Sequence, residues 1–393
     1  MGAFDDLSSR VAAASTAMVD LRHDLHAHPE LAFDEHRTTG VIVKRLTELG
    51  WRVDPCPTPT GAVAVLEGAL PGRRVMIRAD IDALPVTEER DVAFRSTVDG
   101  VMHACGHDVH TAALLGVADV LAGGRDRLAG TVTLVFQPAE ETVGGASAMI
   151  DGGLLASHRA DAVIGVHVTS LAPVGVIATR PGVFMSEADT FRIELRGTGG
   201  HGAMPTTMGN VVLAASALPG RAGEVVEGLD FEGATGACSI NVVRVGTKNN
   251  VVPRTAVLEG TLRTFTPEHR AGALQRLSEL IDGVALAYGV DGALTLTEHV
   301  VAVRNDPAVT ARMLDVARRV VGDAGVMEVP PVAPSDDVAE LLARVPGCYL
   351  FVGGALADGS SGMHHGPDFA IADDALAVIA ELLSAGALDL ATP

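Results

Sequence analysis

Between Met102 and His110 the chain reads Met-His-Ala-Cys-Gly-His-Asp-Val-His. Fourteen histidines are spread over 393 residues, yet three fall in this one stretch beside a cysteine and an aspartate. Cys105 and His107 are two positions apart, so in an extended segment their side chains share one side and can share a metal ion. Gly106 between them lets the backbone approach closely. A thiolate with an imidazole suits zinc, nickel, cobalt or manganese far better than calcium or magnesium. The alternative is a helix N-terminus with a hydrogen-bonded structural histidine, because Asp108 precedes an apolar helical run from Thr111.

A second signal runs from Thr131 to Glu141, where an apolar stretch meets Gln137-Pro138-Ala139 and delivers two adjacent carboxylates, Glu140 and Glu141. Adjacent glutamates repel unless something compensates, and a metal centre does so. One can bind the metal while the other takes a proton from an attacking water; alone, the pair also reads as a solvated loop. Three further fragments repeat the pattern. Residues 161–167 end an apolar run in His167, residues 78–85 place Asp80 and Asp82 after a strand, and residues 363–369 supply His364 and His365 in a Gly-rich loop. Strand-end acids are often structural ion pairs, but three strand ends and two loops carrying metal-ligand types form a stronger joint observation.

The elements that must position these residues alternate in type. Periodic apolar positions predict helices around Val11, Met18, Leu21 and Leu25, then around Val41, Val43, Leu46 and Leu49. Strands are predicted over 61–67, 73–79, 131–136 and 162–166, with a helix over 112–121, which is the pattern of an α/β domain with a mostly parallel mixed sheet flanked by helices. From about residue 185 the order becomes βαββαβ: strands over 191–196, 239–245, 256–264 and 293–298, helices over 211–226 and 271–287. That order fits a smaller ferredoxin-like α+β domain, with Pro219-Gly220 breaking its first helix. Beyond residue 300, helices over 309–321, 336–343 and 374–383 and a strand over 349–352 resume the first pattern. The expected division is a discontinuous metal-binding catalytic domain, 1–184 and 299–393, with a smaller, hinged lid domain at 185–298.

Composition narrows the function classes. Twenty-nine Lys plus Arg stand against 49 Asp plus Glu, a formal charge of -20, which argues against nucleic-acid binding. No basic start with an apolar run opens the chain and no membrane-length apolar stretch follows, so neither a signal peptide nor a membrane span is predicted. Cys56, Cys105, Cys238 and Cys348 are scattered without paired spacing, which reads as free thiols in a cytoplasmic protein.

With these motifs in view, the chain resembles the dinuclear metallo-aminoacylase and carboxypeptidase family, in the amidohydrolase branch containing hippurate hydrolase and the indole-acetyl-amino-acid hydrolases. The resemblance runs from the segment at 21–31 to the final loop. It rests on Arg-Ala-Asp-x-Asp-Ala-Leu-Pro at 78–85, Met-His-Ala-Cys-Gly-His-Asp-x-His at 102–110 and Gln-Pro-Ala-Glu-Glu at 137–141, with Gly-Gly-His-Gly-Ala at 199–203, Asn-Val-Val-Pro at 250–253 and Gly-Thr-Leu-Arg-Thr-Phe at 260–265. It implies that Cys105, His107, Glu141, His167 and His365 hold two divalent ions per subunit (Zn, Mn, Ni or Co). His365 is taken over His364 because the family's last motif is His-x-Pro-x-Phe. Glu140 becomes the general base, and Asp80 and Asp82 support the ligands. His201 would help hold an oxyanion, reaching into the neighbouring subunit's site, while Asn250 and Arg263 would bind the substrate's carboxylate.

The implied activity is hydrolysis of the amide bond of N-acyl amino acids by a metal-activated water, in a homodimer joined through the smaller domain. The alternatives are a dipeptidase or carboxypeptidase with the same site, or a catalytically silent metal-binding protein. The family pattern departs at Thr206, at Asn210-Val211, at Asp336-Asp337 and at Pro219-Gly220. None of these removes a metal ligand.

Overall fold

The computed structural model describes residues 6–204, 209–231 and 233–393. Thr206 lies outside the described residues. The chain divides into two compact units, one formed by Met1–Gly182, Arg304–Val329 and Asp336–Pro393, the other by Val183–Val303 and Pro330–Ser335.

The first unit is built on an eight-stranded mixed sheet in the order Arg52–Asp54, Ala62–Glu67, Ala129–Gln137, Leu70–Asp80, Ala162–Pro173, Gly347–Ala355, Ile177–Thr179, Val326–Glu328. Leu70–Asp80 pairs in parallel with both its neighbours, and Ala162–Pro173 pairs in parallel with Gly347–Ala355. These central strands are continuous apolar runs because both faces are covered. Met76, Ile77, Val163, Ile164, Leu134 and Val135 are fully buried. The helix His107–Gly123 is apolar almost all round and buried nearly throughout, as a helix enclosed by neighbours must be. Leu7–Ala27, Pro307–Val321 and Ala375–Ala391 contribute to the same core.

Register brings the chemistry to one end of the sheet. Asp80 lies opposite Gln137, and Arg78 opposite Val135 on one side and Gly165 on the other. The carboxyl ends of the parallel strands are where α/β sheets place ligand sites. Three expectations need correction. His167 does not end its strand, which continues to Pro173. Pairing with Leu70–Asp80 stops at Gly165, and from there Gly347–Ala355 carries the ladder, with Phe351 opposite His167. Cys105 and His107 are not on an extended segment, because Gly106 is left-handed (φ 91°) and caps the helix that His107 begins. The helix over 336–343 shrinks to Ala339–Leu342, because Asp336 and Asp337 are drawn into the core by buried partners.

The second unit has a four-stranded antiparallel sheet in the order Ala237–Val245, Thr255–Thr264, Glu187–Arg196, Asp291–Val300. With strands numbered along the chain this is 2-3-1-4, and with the intervening helical segments it is the ferredoxin-like arrangement. Glu187–Arg196 and Thr255–Thr264 alternate buried and half-exposed positions, so one face packs on helices. The long helix Pro267–Tyr288 starts at Thr266, whose hydroxyl accepts the His269 amide, and ends at left-handed Gly289. Helix Val211–Ala217 stops before Pro219, and a 3-10 segment, Pro219–Val225, follows. Pro330–Ser335 joins this unit through the Ser186 amide, which donates to the carbonyls of Val332 and Pro334. Its proline-rich text carries no strand signal.

Candidate metal centre

Gly106 sets the geometry at the start of the site. A Cβ there would sit 2.6 Å from the Val168 side chain, so the turn that presents Cys105 and His107 requires glycine in both space and dihedral. His107 donates Nδ1–H to the Asp82 carbonyl at 2.9 Å, with Asp82 Oδ1 at 3.2 Å. That fixes the tautomer and leaves Nε2 as the atom available to a metal ion. His167 is oriented the same way: Nδ1 donates to the Val168 carbonyl at 2.7 Å, and Nε2 lies 3.4 Å from Cys105 Sγ.

The two glutamates come from a strained loop. After the strand ends at Gln137, Ala139 (φ 57°) and Val143 (φ 51°) both adopt the left-handed conformation, which costs a non-glycine residue about 1–3 kcal/mol. Glu141 Oε1 lies 3.8 Å from His107 Nε2, and Glu141 Oε2 lies 3.5 Å from His365 Nε2. His365 is itself left-handed (φ 63°). His364 lies nearby, its Nδ1 3.8 Å from Cys105 Sγ and its Nε2 accepting the Ser170 amide at 3.3 Å.

Donor atoms within 4.8 Å of one another form two triads that share Cys105: Cys105, His107 and His167, and Cys105, Glu141 and His365. Among the described residues, His107 Nε2 and Glu141 Oε1 are buried without a hydrogen-bond partner, the state expected of atoms that would hold a cation. Burial first, then the Glu141 and Glu140 charges, push the Cys105 thiol well above its ordinary range. Burial pushes Glu141 up to about 7. Each of these shifts is reversed by a dication among them. The donor set of sulfur, nitrogen and oxygen therefore fits two borderline divalent ions. Glu140 joins two other groups, one with His107 and Glu141, one with Asp336 and Asp337.

Two buried arginines underlie this arrangement. Arg78, fully enclosed, donates to Asp80 (2.7 Å), Asp337 (3.0 Å) and Gln137 (2.9 Å) and lies 3.1 Å from Asp336. Tyr349 donates to Asp336 at 2.6 Å. Asp80 in turn accepts from His110, whose Nε2 accepts the Val168 amide at 2.8 Å. His110 is thus a satisfied structural histidine. Arg22 holds Asp108 (3.2 Å) and the Ile371 carbonyl (2.8 Å), and His26 donates to Asp108 (2.9 Å) and Glu88 (3.3 Å). Asp108 follows His107 in the first turn of its helix, so this second network anchors the helix start.

Sequence reading missed Arg22, His26, Glu88 and Tyr349, and saw Arg78 only as a letter in a motif. The strand-end position of Arg78 was the available signal. Its partners Asp336 and Asp337 lie more than 250 residues away. His201, Asn250 and Arg263 lie on the second unit. His201 and Asn250 are exposed there, and Arg263 donates to the Ser335 hydroxyl.

Comparison with known proteins places this geometry among relatives. The model for peptidase family M20/M25/M40 matches residues 76–389. The chain is 35% identical over 370 residues to an N-acetylcysteine deacetylase of Bacillus subtilis, covering 94% of this chain and 95% of that one. It is 34% identical over 361 residues to thermostable carboxypeptidase 2 of Saccharolobus solfataricus, covering 90% of each. Among solved structures, a Bacillus subtilis protein described as a dinuclear metal-binding peptidase of the M20 family superposes with a TM-score of 0.80 at 32% identity, covering 96% of this chain and 98% of that one.

Two outcomes follow from the buried networks. Arg78→Met leaves Asp80, Asp336 and Asp337 without their cation and should cost about 3–5 kcal/mol in urea unfolding; a loss below about 1 kcal/mol would contradict the role given to Arg78. Burial opposes protonation of His26, but Asp108 and Glu88 outweigh it and raise its pKa from 6.5 to about 9. Because the folded value is the higher one, the stabilisation is full below pH 6.5 and is lost as pH rises through 9. Its size is about 3 kcal/mol. A His26→Gln variant should show a flatter stability profile across that window, and an unchanged slope would refute the assignment.

Proposed function

The chain belongs to peptidase family M20/M25/M40 and is a metal-dependent amidohydrolase, and from that premise we propose that it cleaves the amide bond of N-acyl amino acids, as in the hippurate-hydrolase and indole-acetyl-amino-acid hydrolase branch. The observation that carries the reading is the pair of donor triads sharing Cys105, with Glu140 beside them and outside both.

In this reading Cys105, His107, Glu141, His167 and His365 hold two divalent ions (zinc, manganese, nickel or cobalt), which supply Lewis acidity that lowers the pKa of a water towards about 7 and polarises the carbonyl. Glu140 takes a proton from the attacking water and delivers it to the leaving nitrogen. Without the ions, burial, then Asp336, Glu141 and Asp337, raise the Glu140 carboxyl well above the usual carboxylate range; nearby positive charge would lower it and favour the ionised form that can accept a proton. Asp82 keeps His107 in the required tautomer, and Arg78 and His110 hold Asp80 in place.

On the second unit, His201 accepts the Ala203 amide at Nδ1 (3.0 Å). Its proton is therefore on Nε2, the donor form that an oxyanion requires. Asn250 and Arg263 would hold the substrate's carboxylate. Homodimerisation through this unit is part of the same reading: Ala237–Val245 and Asp291–Val300 are the edge strands of its sheet, and such edges accept a second copy. Residence in the cytoplasm completes it. Among the described residues no helix is long and apolar enough to cross a membrane.

The relative named carboxypeptidase supports a second reading, peptide-bond cleavage at the same site. Acetyl-, benzoyl- and indole-acetyl-amino acids compared with dipeptides should give the higher kcat/KM for the acylated compounds. Preference for dipeptides would favour the second reading, and inertness to the whole panel would count against both. Glu140→Gln should lower kcat by about 10²–10⁴-fold with metal content unchanged; turnover at the parent rate would remove Glu140 as base.

A further inference from the structure

Glu35 belongs to neither donor triad, yet its carboxylate reaches the loop that carries the base. It precedes the helix His36–Glu48 and is fully buried, but its side chain makes no capping hydrogen bond there. Instead Oε1 accepts the Ala139 amide at 2.9 Å, 104 residues along the chain, and Oε2 accepts the Thr60 hydroxyl at 2.6 Å. Ala139 is the left-handed residue immediately before Glu140.

On the other side of Glu140, the Glu141 amide donates to Asp82 Oδ2 at 3.0 Å. Farther on, the Ala146 amide donates to Asp337 Oδ2 at 2.9 Å. Three buried carboxylates, from distant parts of the sequence, therefore fix the backbone of one strained loop. Two of them bracket Glu140 directly. Asp82 also orients His107, and Asp337 also binds Arg78. Among the described residues, the Glu35 carboxylate bonds only the Thr60 hydroxyl and the Ala139 amide. A left-handed alanine does not hold itself in place, and the Glu35 carboxylate is the acceptor that satisfies its buried amide.

We infer that Glu35 is a positioning residue for the hydrolytic base: by holding the Ala139 amide it fixes the turn from which Glu140 projects, while Asp82 holds Glu141 from the other side. This rests on the reading of Glu140 as base.

The test uses the metal-loaded full-length protein with Glu35→Ala, Glu35→Gln and Thr60→Val. N-acetyl-L-cysteine and the N-acyl amino acids above serve as substrates, and amide hydrogen exchange across residues 138–146 is followed in parallel. Glu35→Ala should lower kcat by about 100-fold, the scale of a misplaced catalytic group, with KM and metal content at parent values and exchange across the loop accelerated. Glu35→Gln should restore turnover, because its amide oxygen still accepts from Ala139. Thr60→Val removes the other partner of Glu35 without touching the loop, and should keep both kcat and exchange protection. If Glu35→Ala does not fold, Glu35→Asp pulls the acceptor back by one methylene and should move kcat and exchange in the same direction. Equal losses in Glu35→Ala and Thr60→Val would mean that Glu35 only ties the fold together and would overturn the inference. So would parent-like loop exchange in Glu35→Ala. An active Glu140→Gln would instead sink the base assignment, whereas an inactive Glu140→Gln beside a fully active Glu35→Ala would sink this inference alone.

Discussion

Asp80, Asp82, Asp336, Asp337, Glu140 and Glu141 share one largely buried neighbourhood, with Arg78 as the permanent cation among them. Bringing that much like charge out of water is costly unless it is paired and hydrogen-bonded. Arg78 offsets the acids beneath the site, on the side of Asp80, Asp336 and Asp337. Among the described residues, the side formed by Cys105, His107, Glu141, His167 and His365 has no such permanent cation, and its thiol and carboxyl are pushed toward their protonated forms. The site is therefore balanced only when divalent ions supply the missing positive charge. Glu140 lies where the two groups of acids meet, and without such ions burial and the neighbouring acids hold its carboxyl well above the usual carboxylate range.

Positioning is achieved mostly by backbone, and the side chains inherit it. Parallel register carries Asp80 and Gln137 to the same level. Gly106 turns the chain into the helix that begins with His107, and Asp108 is tied down by Arg22 and His26. The glutamates depend on a strained loop in which the amides of Ala139, Glu141 and Ala146 are held by carboxylates from residues 35, 82 and 337. The proposed ligands therefore come from four separated segments, and two of them, His107 and His167, are oriented by backbone carbonyls that do no chemistry. Such support is what holds a metal site or a base within the tolerance that catalysis needs.

Much of this was legible in the sequence, for identifiable reasons. Apolar runs at 73–79, 131–136 and 162–166 located the central strands, because strands covered on both faces must be apolar throughout. The βαββαβ order of the smaller unit and its helix break at Pro219 were equally plain, since proline and strand alternation act locally. The cysteine, histidine and glutamate types were visible because such side chains are rarely clustered without cause. What stayed hidden was long-range. Nothing local to Arg78 announces Asp336 and Asp337, and nothing local to Glu35 announces Ala139. The strand carrying His167 runs on past its apolar stretch because Gly347–Ala355 pairs with it, a fact of topology. The turn at Gly106 was misread as extended because a glycine's sign of φ is not written in its neighbours.

The central claim is that Cys105, His107, Glu141, His167 and His365 together would hold two divalent ions per chain. X-ray absorption on the zinc-loaded protein, with elemental analysis of the same sample, tests it most directly. Two ions per chain with a sulfur scatterer at about 2.3 Å among nitrogen and oxygen ligands is the predicted result. A single ion per chain, or a shell of nitrogen and oxygen alone, would contradict it.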